Sequence, residues 1–121
     1  MKKIFFALVI TLILGLSASY VYGQTMVQSG NFSVNYETPG YTLDKNEGTR
    51  SFSVEVTFLK PFETKPDVIV AVNHVDVDKN TALRYKVETS SISRDGFTLK
   101  IMTWGDCKIF GMSGNWLAHS E

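Results

Sequence analysis

Ser51-Phe52-Ser53-Val54-Glu55-Val56-Thr57-Phe58 decides the fold: Phe52, Val54, Val56 and Phe58 fall on one face of an extended chain, and Ser51, Ser53, Glu55 and Thr57 fall on the other. This is the period-2 alternation of a strand with one face in a core and one in water. The pattern recurs downstream. Leu83, Tyr85 and Val87 alternate with Arg84, Lys86 and Glu88, and Phe97, Leu99 and Ile101 alternate with Thr98, Lys100 and Met102, with Arg94-Asp95-Gly96 turning the chain between them. Val68-Ile69-Val70-Ala71-Val72 is more continuously apolar, which predicts a central strand covered on both sides or a strand at a subunit contact.

A first strand near Met26–Val34 and a last one near Asn115–His119 bring the total to six or seven, and no stretch after residue 23 has useful helical periodicity. Short strands at this spacing predict an all-β, antiparallel β-sandwich. Residues 35–50 carry Pro39, Gly40, Asn46, Gly48 and the acids Glu37, Asp44 and Glu47, a composition for a long exposed loop. Structureless loops of that length in a small domain are usually functional.

The 121 residues leave room for one domain. Met1-Lys2-Lys3 is a short basic head, Ile4–Leu16 is an apolar stretch, and Val21-Tyr22-Gly23 precedes Gln24, so residues 1–23 read as a secretory signal peptide and 24–121 as the secreted, extracellular domain. The competing reading is a retained anchor, since Ile4–Tyr22 would span about 28 Å as a helix; Ser17, Ser19 and the tyrosines at its far end weigh against it. Without a retained anchor there is no membrane span. Loss of residues 1–23 leaves ten basic and twelve acidic side chains, a formal charge of −2. A nearly neutral domain lacks the basic excess that a nucleic-acid partner requires.

Cys107 is the single cysteine, so no intrachain disulfide forms; it is either a small buried hydrophobe or a bridge between two subunits. Small secreted domains without staples commonly rely on partner subunits, which favours self-association.

Catalytic chemistry finds little support. The chain has two histidines, His74 and His119, and contains no Gly-x-Ser-x-Gly, no phosphate-binding glycine loop and no His-Glu-x-x-His; the protein reads as no enzyme, and no cofactor is called for. Asp76-x-Asp78-x-Asn80 opens like a calcium loop but has Thr81 where glycine is needed and Val87 where a bidentate glutamate is needed. His74, Asp76 and Asp78 on one strand face leave two readings, a site for some other divalent ion or a polar strand end running into a turn. Asn31-Phe32-Ser33 is a sequon for N-glycosylation.

Taken together, Val27-Gln28-Ser29-Gly30, Val56-Thr57-Phe58 with Pro61, Lys65-Pro66-Asp67-Val68, Leu83-Arg84, Gly96-Phe97, Thr103-Trp104 and Asn115-Trp116-Leu117-Ala118 resemble the H-type lectin domain family over nearly the whole of residues 24–121. The resemblance implies a six-stranded antiparallel sandwich assembled as a homotrimer. It also implies metal-independent pockets between subunits for galactose-type sugars, above all N-acetylgalactosamine, on glycoproteins or glycolipids.

Carried across residue by residue, the resemblance makes Arg84 the arginine that reaches a sugar from the neighbouring subunit, against the alternative of a surface ion pair. Trp104 matches the pocket tryptophan, against a core position, whereas Trp116 in the last strand reads as core. Glu47 stands where the family has an aspartate that accepts from sugar hydroxyls, with Asp106 as a nearby substitute; either could be a solvated loop acid. Gly105 replaces a histidine of the snail member, and Phe110 replaces the pocket tyrosine, so a polar tip and a hydroxyl are lost and the sugar preference can shift.

The implied function is multivalent carbohydrate binding for adhesion, recognition or agglutination. The alternative is a secreted adhesive or structural sandwich that binds protein partners and keeps only a degenerate sugar pocket.

Overall fold

A computed structural model describes residues 26–121; the signal peptide read at 1–23 lies outside the described residues. Six antiparallel strands follow in chain order: β1 (Met26–Asn35), β2 (Arg50–Thr57), β3 (Asp67–Val77), β4 (Lys86–Ser90), β5 (Gly96–Thr103) and β6 (Ile109–Ser120). They form two three-stranded sheets, β1-β6-β3 and β2-β5-β4, the β-sandwich that the alternating pattern predicts. Among the described residues there is no helix, and so none long and apolar enough to cross a membrane.

The core is the inward half of each alternation. From β5 come Phe97, Leu99 and Ile101, and from β6 Met112, Trp116 and Ala118, all buried. Trp116 is a core residue, as expected, packed edge-on to Phe97 with ring centroids 5.4 Å apart and tilted against Phe58 at 5.7 Å. Such aromatic pairs add about 0.5–1.5 kcal/mol each beyond the area they bury. On the outer face of the second sheet, Thr98 donates to the Glu55 carboxylate across β5 and β2 at 2.9 Å.

Three expectations are corrected. The apolar run in β3 is not a central strand: β6 occupies the centre of its sheet and β3 an edge, with Val68, Val70 and Val72 facing in and Ile69 59% exposed. The fourth strand begins at Lys86 instead of Leu83, because the Arg84 backbone is held by side chains and not by a ladder: its amide donates to Cys107 Sγ at 3.4 Å, and Thr103 Oγ1 donates to its carbonyl at 2.6 Å. The 35–50 segment is not simply an exposed loop. Tyr41 and Leu43 enter the core, and the Tyr41 hydroxyl donates to the Ile109 carbonyl at 2.6 Å.

Candidate functional site

Three connections meet at one end of the sandwich: the β1–β2 loop, the β3–β4 link and the β5–β6 link. The Gly48 amide donates to the Gly105 carbonyl at 2.9 Å, the Ile109 amide to Leu43 at 2.9 Å, and the Asp78 amide to Lys108 at 3.0 Å. Lys108 Nζ also donates to the Asn46 carbonyl.

At the centre of this junction lies Arg50, which the sequence reading did not single out. It is buried, and its guanidinium donates only to backbone carbonyls. Nε donates to Gly48 at 2.9 Å, Nη1 to Lys45 at 2.7 Å, Asn46 at 3.1 Å and Leu43 at 3.4 Å, and Nη2 to Cys107 at 2.7 Å and Gly105 at 3.3 Å. The planar fork with its five fixed N–H donors suits this role, since a loop folded into the interior must have its carbonyls satisfied. A signal for it existed: extending the Phe52-Val54-Val56 alternation back by two residues reaches Arg50, a cation on the inward face.

Around this clamp the predicted residues divide into two groups. Arg84, Gly105 and Asp106 are brought together: Arg84 Nη1 pairs with the Asp106 carboxylate at 3.2 Å, with both side chains roughly half exposed. Gly105 has a φ of +67°, and a Cβ placed there would stand 2.8 Å from Arg84 Nη1. The guanidinium therefore crosses the turn through space that a side chain at 105 would contest. Trp104, between Thr103 and Gly105, is 42% exposed and so is no core tryptophan. Glu47 is exposed on the loop beside Gly48, whose amide fixes that loop against Gly105.

Phe110 stands apart. It lines a cavity of about 200 Å³ on the outer face of the β1-β6-β3 sheet, with Tyr36, Asn35, His74 and Asp76. His74 and Asp76 do share a strand face there, while Asp78 lies beyond β3 and accepts from the Asn80 amide at 2.9 Å in a local turn. Among the described residues, no cluster of three His, Cys, Asp or Glu side chains is placed to hold a metal ion. Cys107 is fully buried and unpaired within the chain, which fits the small-hydrophobe reading. Asn31 is exposed on the outer face of β1, opposite Asn115.

The Tyr41 phenol titrates well above its ordinary value. Burial is the largest cause, followed by the negative charges of Asp44 and Asp76.

Comparison with known proteins gives four findings. The family model for the H-type lectin domain matches residues 53–119. A curated protein of Fuscovulum blasticum, described as "ATP synthase subunits region ORF 7", is 35% identical over 71 residues, covering 59% of this chain and 62% of that protein. Among solved structures, discoidin II of Dictyostelium discoideum superposes with a TM-score of 0.71 at 24% identity, covering 81% of this chain and 38% of the discoidin chain. An R1-type pyocin tail fibre superposes with a TM-score of 0.50 at 17% identity over 80% of this chain and 71% of its own. The two structural likenesses concern the fold.

Proposed function

The chain belongs to the H-type lectin domain family, and on that premise we propose that it is a secreted lectin whose residues 24–121 bind galactose or N-acetylgalactosamine groups of glycoproteins and glycolipids. Its work is binding and not catalysis, and it acts as a homotrimer in adhesion, recognition or agglutination. The observation that carries this reading is the gathering of an exposed indole, Trp104, with the Arg84–Asp106 pair and the Glu47 loop at one end of the sandwich.

That combination offers what a saccharide pocket needs, an apolar platform beside a few oriented polar groups. Trp104 presents its ring to the apolar face of the sugar. Glu47 and Asp106 accept hydrogen bonds from hydroxyls, and charge assistance strengthens them. In the homotrimer two such ends meet at each pocket, and the Arg84 that donates to a sugar's ring hydroxyls or acetamido oxygen is that of the neighbouring subunit. Its pair with Asp106 is solvent-exposed and worth no more than about 1 kcal/mol, so a sugar can replace one partner at little cost.

Each pocket is shallow. Strength comes from several acting together, since linked engagement raises avidity by roughly 10² to 10⁴. Leu117 and Ile69, cross-strand neighbours exposed on the outer face of the first sheet, support contact with neighbouring subunits.

The test is binding to immobilised glycans, with solution mass measured in parallel. Saturable binding inhibited by free galactose or N-acetylgalactosamine, from a particle of three chains, is the expected result. A folded protein silent across the panel overturns it in favour of a protein-binding adhesive module. Gly105 favours that second reading, because it leaves the pocket without the ring and polar tip of the snail member's histidine.

A further inference from the structure

We propose that Lys108 is a positioning residue of the sugar site: with Arg50 it holds the Asn46 backbone in the left-handed region and so fixes where Glu47 stands. This rests on the lectin reading above, in which Glu47 accepts from sugar hydroxyls.

Glu47 is exposed and sits between two residues of positive φ, Asn46 at +62° and Gly48 at +83°. Glycine takes that conformation at no steric cost, whereas at position 46 it has to be imposed, even though asparagine tolerates it better than most residues. A backbone held in so sparsely populated a region persists only where its surroundings over-determine it. At Asn46 the surroundings are two cations. The Asn46 carbonyl accepts from Arg50 Nη1 at 3.1 Å and from Lys108 Nζ, so the peptide that joins Asn46 to Glu47 is gripped by two side chains.

Arg50 divides its hold. Its Nη1 is shared among the carbonyls of Leu43, Lys45 and Asn46, and the bond to Lys45 is the shortest at 2.7 Å. The Lys108 ammonium adds a donor at Asn46 from a different element. Its own backbone is anchored: the Lys108 carbonyl accepts from the Asp78 amide at 3.0 Å, and the next residue, Ile109, donates its amide to Leu43 at 2.9 Å. Lys108 therefore ties the Glu47 loop to the β3–β4 link and to the start of β6.

A glutamate makes this tie matter. It has one methylene more than the aspartate of the family, and so one more torsion to order when a sugar binds. Among the described residues its carboxylate has no ion-pair partner, which leaves the backbone to place it.

Sugar affinity of the purified protein, measured by calorimetry in a double-mutant cycle of Lys108→Met with Glu47→Gln, tests this. A residue that merely stabilises the fold weakens binding independently of Glu47, whereas a positioning residue makes the two losses overlap. The expected losses of galactose or N-acetylgalactosamine affinity are about tenfold in Glu47→Gln, about fivefold in Lys108→Met, and no more than about twofold further when the two are combined. Asn46→Val resists a positive φ without removing either cation, and its loss should overlap with that of Glu47→Gln in the same way. Additive losses in either cycle overturn the proposal and leave the lectin standing. So does an unchanged affinity in Glu47→Gln while Trp104→Ala abolishes binding. A wild type that binds no galactose-type sugar removes the lectin reading and this proposal with it.

Discussion

Arg50, on the inward face of β2, donates through Nη2 to the Cys107 carbonyl at 2.7 Å, and this bond joins the β1–β2 side of the molecule to the turn that carries Gly105 and Asp106. Six carbonyls from two connections converge on one guanidinium, so the candidate site is held by a buried cation that itself faces no ligand.

Arg50→Ala strands those carbonyls in the interior. Hydrogen bonds to a charged group contribute about 1.5–3 kcal/mol each, with the loss shared among neighbours that relax. The expected destabilisation is about 3–5 kcal/mol, a fall in Tm of roughly 15 °C or more for a domain of this size. Arg50→Lys recovers only part of it, because an ammonium has three donors and no planar fork. Calorimetry of the two variants checks the ordering, and a wild-type Tm in Arg50→Ala would remove the clamp from the account.

Arg84→Ala and Trp104→Ala are each expected to abolish sugar-inhibitable agglutination while solution mass stays that of the wild type. Their Tm should move little, since both side chains are substantially exposed and an exposed ion pair contributes about 0–1 kcal/mol. Normal agglutination by either variant would remove that residue from the sugar site.

Gly105→His reinstates the residue type of the snail member in a backbone that resists it. A non-glycine residue at a φ of +67° costs about 1–2 kcal/mol. The new Cβ displaces the Arg84 guanidinium, the mobile end of a long side chain, from Asp106. Tm falls by several degrees, and the ratio of inhibition by free N-acetylgalactosamine to that by galactose changes. An unaltered ratio would mean that position 105 does not tune the sugar.

Alkaline pH acts through Tyr41. Its phenol is raised on folding, so the native state holds a proton that the unfolded chain has released above about pH 10. The associated stability is present in full below that pH and is lost as pH rises towards the native value, at up to about 1.4 kcal/mol per pH unit for one proton. Tyr41→Phe costs about 1 kcal/mol at neutral pH through the lost bond to Ile109 and flattens the alkaline decline. Urea titrations from pH 7 to 11 measure both effects, and an equally steep decline in Tyr41→Phe would assign it to another group.

Phe52-Val54-Val56 and Phe97-Leu99-Ile101 were legible because a strand's two faces are written in alternate residues, and burial follows from that parity alone. The strands and the sandwich class are of this local kind, while the lectin family and the core position of Trp116 were legible from the resemblance of ordered fragments such as Asn115-Trp116-Leu117-Ala118. Which strand lies in the middle of a sheet is not. Val68–Val72 reads like a buried strand yet lies at an edge, because strand order depends on partners far away in the chain. The same limit hid the work of Arg50, whose six acceptors are spread over two connections, and the outward pairing of His74 with Asp76, which rests on a bulge that shifts parity by one residue. Local hydrophobic period is a property of neighbours in sequence, whereas a clamp, a bulge and a cavity arise only when backbones from distant segments come to share one surface.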